Sequence, residues 1–526
     1  MAAPTLTLLN HTLLSSADAA TGWFDTVTIE TDIKVEGSGS MSGVLRADAE
    51  VSYYDSTTAP ITAAGKTVRG WFNTTNVPYL EIKANNGLEL YVYDGSTIET
   101  KAIAGIDTYA GGWLNYIWDM DTFTTLTLAN VRRWGVRQQL TSNAKNVVNA
   151  WHDVIRYLDG YSMTGGTSGD KVRLADIALY DKGTTTLRAY GVVTEVNSVF
   201  FCTGTVQFGT GATAHYFEMD GQILVFTDQM VRSGLYSLSG VGSGTNVVIK
   251  NSVIRSAGTT DATRFVFDWD EANLAACTII DNLIVRAGAC SFKNGQTMTG
   301  NTFDNCGQIT AAGANLSDAV IKGYEGTADT AALVWNVATD PDGYLYGIAF
   351  TKGTAATHAI SFGTSSPVTM TIRGMSFSGY NASDGQTDSV LYFADKGSDI
   401  TWTINASGCS GTVSYKKARS GDTVTILADQ VTLTIEVRDS DGAIITDSTE
   451  ITLVRSSDLT VLSHAEDVTS GSTGYTYGYS GDVNCYVNVL SVANYVPRTV
   501  EPVVLGDTDQ TVVVQLEDER GRYSNP

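Results

Sequence analysis

Two acidic clusters lie beside aromatic residues. Asp268-Trp269-Asp270-Glu271 sets three acids against an indole, and Asp340-Pro341-Asp342-Gly343 sets two more close to Trp335, Tyr344 and Tyr346. Glycoside hydrolysis uses such material: two carboxyl groups roughly 5–9.5 Å apart across the scissile bond, one held protonated, with aromatic faces for the sugar rings. Asp268, Asp270, Asp340 and Asp342 are therefore the candidate acids for glycan cleavage. Acids beside Pro and Gly also mark solvated turns, and this reading is preferred, so no catalytic set is assigned and the chain leans towards a non-enzymatic role. Trp71, Trp113 and Trp118 are candidates for stacking on sugar faces; their other use is as core of a β-sandwich.

Other chemistries find less support. The five histidines stand at positions 11, 152, 215, 358 and 464, and no Gly-x-Ser-x-Gly elbow accompanies them. The Gly240-Val241-Gly242-Ser243-Gly244 run leads into a strand, which lacks the helix N-terminus of a phosphate cradle. Six cysteines, at 202, 277, 290, 306, 409 and 485, form no CxxC pair and no His-bearing metal spacing, and read as small buried hydrophobes. Asp439 and Asp441 open what could be a calcium loop, but the remaining ligands are missing and a tight hairpin turn accounts for them. No metal and no cofactor are expected.

Composition narrows the partners. With 33 Lys and Arg against 56 Asp and Glu the net charge is −23, which repels phosphate backbones and argues against nucleic acid. No apolar run is long enough for a membrane-spanning helix, and Met1-Ala2-Ala3-Pro4-Thr5 lacks the basic start and apolar core of a secretion signal. An extracellular-looking chain with neither leader nor disulfide framework suits assembly in a reducing cytoplasm and release by lysis.

The elements that must position these residues are short strands. The chain has 52 Gly, 8 Pro and 17% charged residues among 526, and Thr, Ser, Val and Ile recur between Gly, Asn and Asp turns. Period-two alternation over 27–35 and 88–93 predicts half-buried antiparallel strands in a domain spanning 1–140. Val147, Val148, Trp151, Val154, Ile155 and Leu158, introduced by Ser142 and closed by Gly160, follow helical spacing and predict a helix in a connector over 141–190. His152, Asp153 and Arg156 would lie on its solvated face.

From 191 to 428 the pattern is repetitive. Segments beginning at Asn251, Asn282, Asn301, Asp318 and Gly374 resemble one another, with separations of 31, 19, 17 and 56 residues. Coils of roughly 20 residues stacked as a right-handed parallel β-helix ask for Val, Ile, Phe or Cys inward and Asn, Gly or Asp at bends. An extended antiparallel sandwich is the alternative. A small sandwich over 429–518 follows, marked by Val431–Val437, the Asp439-Ser440-Asp441-Gly442 turn, Ile451–Val454 and Thr511–Leu516, with a charged tail over 519–526.

The stretch Gly111-Gly112-Trp113-Leu114-Asn115-Tyr116-Ile117-Trp118-Asp119 is similar to the late Gly-Trp strand of lectin-like jelly rolls, and the strand-DxDG-strand pattern resembles transthyretin-like Ig folds. Leu128–Gly135, Trp151-His152-Asp153, Gly300–Gly307 and Val437–Gly442, in this order of parts, resemble uncharacterised tailed-bacteriophage virion surface proteins. That resemblance implies a virion surface location, homotrimerisation and contact with other tail or capsid proteins. It implies a tail spike or fibre adhering to host surface glycan, or a capsid-decorating protein. A polysaccharide depolymerase acting through Asp268, Asp270, Asp340 and Asp342 is the alternative, and a bacterial adhesin is a third.

Overall fold

The computed structural model describes residues 3–24, 28–45, 51–56, 59–74, 88–102, 112–138, 148–183, 188–210, 215–227, 237–242, 245–258, 264–269, 276–428, 430–478, 482–491, 495–506 and 508–517. These residues are nearly all β, as expected, with one α-helix among them. The chain forms two compact units, 1–314 with 322–325 and 315–321 with 326–526.

The first unit begins with two antiparallel sheets. One runs in the order Leu114–Asp119, Thr67–Thr74, Val148–Tyr157, Ser40–Leu45, Thr28–Glu30, with Thr12–Ser15 also on Val148–Tyr157; the other runs Trp23–Phe24, Val51–Asp55, Arg133–Gln138, Leu88–Tyr93, Ile98–Ala102. Alternation sends Met41, Phe72, Leu90, Trp134, Val136 and Ile155 into a shared core, each burial worth roughly 1.5–3 kcal/mol. Strand Leu88–Tyr93 forms where period two predicts it. The strand expected over 27–35 is shorter, Thr28–Glu30, because side-chain acceptors capture the backbone beyond it. The Asp18 carboxylate accepts the N–H groups of Ser38 and Gly39 at 2.5 and 2.9 Å, and Asp153 accepts those of Val35 and Glu36.

The helix expected from Ser142 to Leu158 is not formed: Val148–Tyr157 is a strand, paired on both sides with Ser40–Leu45 and Thr67–Thr74. Its misleading spacing comes from a bulge. Register shifts between Asp153 and Ile155, and Val154 sits at φ +32, so the alternation restarts and imitates a three-and-four repeat. The helix of this region is Leu174–Lys182, where Asp176 accepts the Arg173 N–H at 3.0 Å and Gly183, at φ +76, ends the last turn.

The rest of the first unit consists of parallel ladders visited in turn. Strands Val199–Cys202, Ile223–Phe226, Val253–Ser256, Leu283–Val285 and Thr302–Asp304 form one, and Gly160–Thr164, Thr205–Phe208, Ser237–Gly240, Val266–Asp268, Cys290–Ser291 and Ile309–Thr310 another. His215–Asp220, Thr245–Lys250 and Ala276–Ile280 form a third. Inward positions stack like on like: Phe200, Leu224, Ile254, Ile284 and Phe303 in the first, Val206, Leu238, Phe267, Cys290 and Ile309 in the second. Cys202, Cys277, Cys290 and Cys306 are buried in this material, as the sequence reading expects.

The strands of these ladders are entered through the same corner. Two residues ahead of the first ladder's strands stand Gly221, Asn251, Asp281 and Gly300, all at φ between +51 and +67. In the second unit Asp318, Gly347 and Gly374 do the same ahead of Val320–Lys322, Ala349–Thr351 and Ser376–Ser378. The left-handed region favours Gly, Asn and Asp, which is why the repeats announce themselves by those residues. The register pairs Val253 with Leu283, so Asn251 corresponds to Asp281 and the first repeat is 30 residues (281 − 251), one fewer than matching asparagine to asparagine gives.

The second unit continues with parallel pairs whose aromatics stack, Phe350 on Phe377 and Phe362 on Phe393, each at 5.6 Å. It ends in two further sheets, Ser472–Gly478, Gln430–Arg438, Gln510–Gln515 and Val461–Val468, Thr449–Arg455, Val483–Ser491, Arg498–Leu505, enclosing Leu433, Ile435, Leu453, Val487 and Val514. The Asp439 turn forms as expected, its carboxylate accepting the N–H groups of Asp441 and Ala443 at 3.0 and 2.8 Å.

Candidate functional site

Strand Thr67–Thr74 lies between Leu114–Asp119 and Val148–Tyr157, and the register sets Asn115, Trp71 and Asp153 in one row. Their neighbours Tyr116, Phe72 and His152 point into the sandwich core, so the row looks out from the opposite face. Arg69, two residues from Trp71, shares that face and staples the following segment to it. Its Nε donates to Leu158 O at 2.7 Å, Nη1 to Thr203 Oγ1 at 2.9 Å, and Nη2 to Thr203 O. Asp181, from the helix, accepts the N–H groups of Gly191, Val192 and Val193 at 2.9, 3.1 and 3.1 Å.

The sheet face and this stapled segment enclose a cleft of about 540 Å³. Trp71 and Trp113 form one wall, Leu179 and Lys182 of the helix another, and Lys34, Val35 and Glu195 stand at the edges. A second lobe of about 360 Å³ shares Trp71, Trp113, Gly191 and Thr194 and adds Leu114, Asn115, Val196, Phe201 and Thr227. Trp71 is fixed by its indole N–H, which donates to Ala189 O at 3.0 Å. Gly191, at φ +71, approaches so closely that a Cβ would collide with Asn115 Nδ2 and lie 3.1 Å from Trp71 Cζ2.

Charges behind the cleft are buried. Burial pushes Asp153 up to about 7, against the pull of the backbone N–H groups of Glu36, Val35 and Val154. Burial likewise pushes Asp181 up to about 6 despite three such bonds. Glu36 is raised by burial, although Arg156 pairs with it. The bulge makes this cluster possible: by restarting the alternation it keeps Ile155 in the core and turns Arg156 to the same face as Asp153. A β-branched residue at positive φ is strained, and the surrounding pairs hold Val154 there. His152 is the inward counterpart, wedged between Trp23 and Phe72 with ring centroids 5.1 and 5.0 Å away, and burial holds it down to about 3.

Of the residues singled out from sequence, Trp71 and Trp113 meet in the cleft. Trp118 does not join them: it shares the inward face with Tyr116, packs on the sandwich core and donates to Thr122 Oγ1 at 2.8 Å. Asp268 ends the strand Val266–Asp268, half-buried, and Asp270 lies outside the described residues. Asp340 and Asp342 share a turn. The Asp340 carboxylate accepts the N–H groups of Asp342 and Thr371 at 3.1 and 2.9 Å, and Asp342 pairs with Arg373 at 3.4 Å. Trp335 beside them is fully buried and donates to Thr339 O, so it offers no face to a sugar. His358 lies 3.7 Å from Asp329 and 2.6 Å from Ser389, but the serine contributes its carbonyl and its hydroxyl bonds Ser383 and Gln386 instead. That group is a clasp between strands, with no nucleophile in it. Sequence reading missed Asn115 and Asp181 and placed Asp153 on a solvated helix face, because only strand pairing sets Asn115 and Asp153 in one row and only the fold brings the helix carrying Asp181 to it.

No family model matches this chain, and no curated protein matches it. Among solved structures the chain is similar to the catalytic domain of GH87 alpha-1,3-glucanase in complex with nigerose. The identity is 10% over 79% of this chain and 98% of that one, with a TM-score of 0.18. A likeness at that score bears on neither fold nor activity here.

Proposed function

We propose that this chain is a non-enzymatic structural protein of a virion surface, of the tailed-phage type, which adheres to host surface glycan through the Trp71–Trp113 cleft. In this reading the parallel ladders are a right-handed parallel β-helix serving as rigid scaffold. The preceding sheets are a lectin-like jelly roll, and the last two an Ig-like module. Assembly takes place in the host cytoplasm and the working form is a homotrimer.

The observation that carries the adhesive role is the cleft itself. Two half-buried indoles, one fixed through its N–H, form the wall of an open depression also lined by Lys34, Lys182 and Glu195. Sugar rings are bound by apolar faces beside a few polar groups. Of the acids singled out for cleavage, Asp340 and Asp342 are instead spent on backbone N–H groups and an arginine.

Titrating the protein with purified host capsule or lipopolysaccharide tests the role. Saturable binding weakened at least tenfold by Trp113→Ala is expected. Release of new reducing ends would instead make the protein a depolymerase. Light scattering should give three times the chain mass of 56.1 kDa, and a monomer mass at micromolar concentration would remove the trimer.

A further inference from the structure

Segment 31–39 supplies one edge of the cleft through Lys34 and Val35, and its middle is held by one carboxylate. Asp153 Oδ2 accepts the N–H groups of Val35 and Glu36 at 2.5 and 2.9 Å. We propose that Asp153 is a positioning residue of the glycan cleft: protonated, it fastens this strap beside the ligand, and on ionising it releases the strap, so that adhesion weakens as pH rises towards neutrality. The inference rests on the glycan-adhesion reading. Asp153 does not itself meet the sugar; it acts through Lys34 and Val35.

The surroundings of Asp153 oppose a charge. The residue is fully buried, and its Oδ1 has no hydrogen-bond partner among the described residues. The cations of this face are engaged elsewhere: Arg156 with Glu36 and with the Tyr190 ring 5.1 Å away, Arg69 with Leu158 and Thr203, and Lys34 with Ser38 O at 3.1 Å. His11 bears on Arg156, and Asp181 is bound to its three N–H groups. Glu36 brings a second carboxylate on the strap itself, and its charge opposes ionisation of Asp153. While the strap is closed the carboxyl is therefore neutral up to about 7. Once the strap lifts, water reaches it and it titrates as an ordinary carboxyl. Opening releases a proton between those two values, so each pH unit in that window makes opening about tenfold easier, with no further gain above 7. The far end stays anchored. Against burial, the bonds from Ser38 and Gly39 hold Asp18 below the usual carboxylate range, so it keeps its grip throughout the window and the strap hinges there.

Hydrogen exchange of the full chain at pH 5 and pH 7.5, corrected for the intrinsic rate, reads the strap directly. Protection of the peptide bearing the Val35 and Glu36 amides should fall at least about tenfold between the two, while the core strand Leu88–Tyr93 keeps its protection. Asp153→Asn, with the near-ultraviolet dichroism of the native fold, should show the same strap protection at both pH values. Glu36→Gln, which removes the opposing charge, should shrink the change without reversing it. Calorimetry with purified host capsule or lipopolysaccharide should give at least about threefold weaker binding at pH 7.5 than at pH 5, and equal binding at the two for Asp153→Asn. A merely structural Asp153 would give a native chain whose strap protection ignores pH. That result, a pH dependence that survives Asp153→Asn, or pH-linked exchange with affinity unchanged overturns the positioning role and leaves glycan adhesion standing. Absence of polysaccharide binding at both pH values overturns the adhesion reading, and with it the role of the strap in binding.

Discussion

His152 and Asp153 are adjacent in sequence and opposite in environment, and pH should separate them. His152 is neutral when folded, held down to about 3 by burial, while in the unfolded chain it titrates near 6.5. The unfolded state therefore binds more protons below pH 6.5, and stability falls as pH falls. At pH 5 the cost relative to pH 8 is about 2 kcal/mol. His152→Phe should remove that loss, seen as a smaller drop in urea midpoint between pH 8 and pH 5. Asp153 works in the other direction. Its folded value, about 7, lies above that of the unfolded carboxyl, so stability from this group is full at about pH 4 and is lost as pH rises through 7. Asp153→Asn keeps an acceptor for Val35 and Glu36, and its stability relative to the native chain should rise across that window. A flat difference would place Asp153 in solvent.

At the scale of elements, the corners and the buried amides set the register of the parallel ladders. Asn282 Nδ2 donates to Ile249 O and to Asn301 Oδ1, the Asn282 N–H also reaches Asn301 Oδ1, and Asn301 Nδ2 satisfies Ile279 O and Met298 O. Removing one member strands several buried partners, at roughly 1–3 kcal/mol for each group left unpaired. Asn301→Ala should therefore open the coils around it. Because neighbouring coils stabilise one another, hydrogen exchange should accelerate at Asn282 and its surroundings and leave Leu433 and Val487 in the terminal sandwich protected. Uniform acceleration throughout would mean that the ladder is not a local unit. The asparagines were legible in sequence as repeat markers; their one-residue offset was not, because Asn and Asp share the left-handed corner that fixes the register.

At the scale of the whole molecule, net charge bears on the proposed trimer. The proposed trimer joins three chains of −23 each, and like charges beyond the Debye length, about 10 Å at 0.1 M salt, cease to repel. Sedimentation in 20 mM and 300 mM sodium chloride should therefore show tighter association at the higher salt. Weaker association there would point to an interface held by ion pairs.

Composition and local pattern determined the all-β character, the repetitive middle of the chain and the DxDG turn, since turn preferences and period-two alternation act over a few residues. The same local rules failed at Val148–Tyr157, where a bulge between two neighbouring strands produces helical spacing in a strand. They separated Trp118 from Trp71 and Trp113 no better, because a strand's inward and outward faces are assigned by its partners. The candidate site belongs to tertiary structure for that reason: Asn115, Trp71 and Asp153 are distant in sequence, and only strand pairing sets them in one row beneath Gly191.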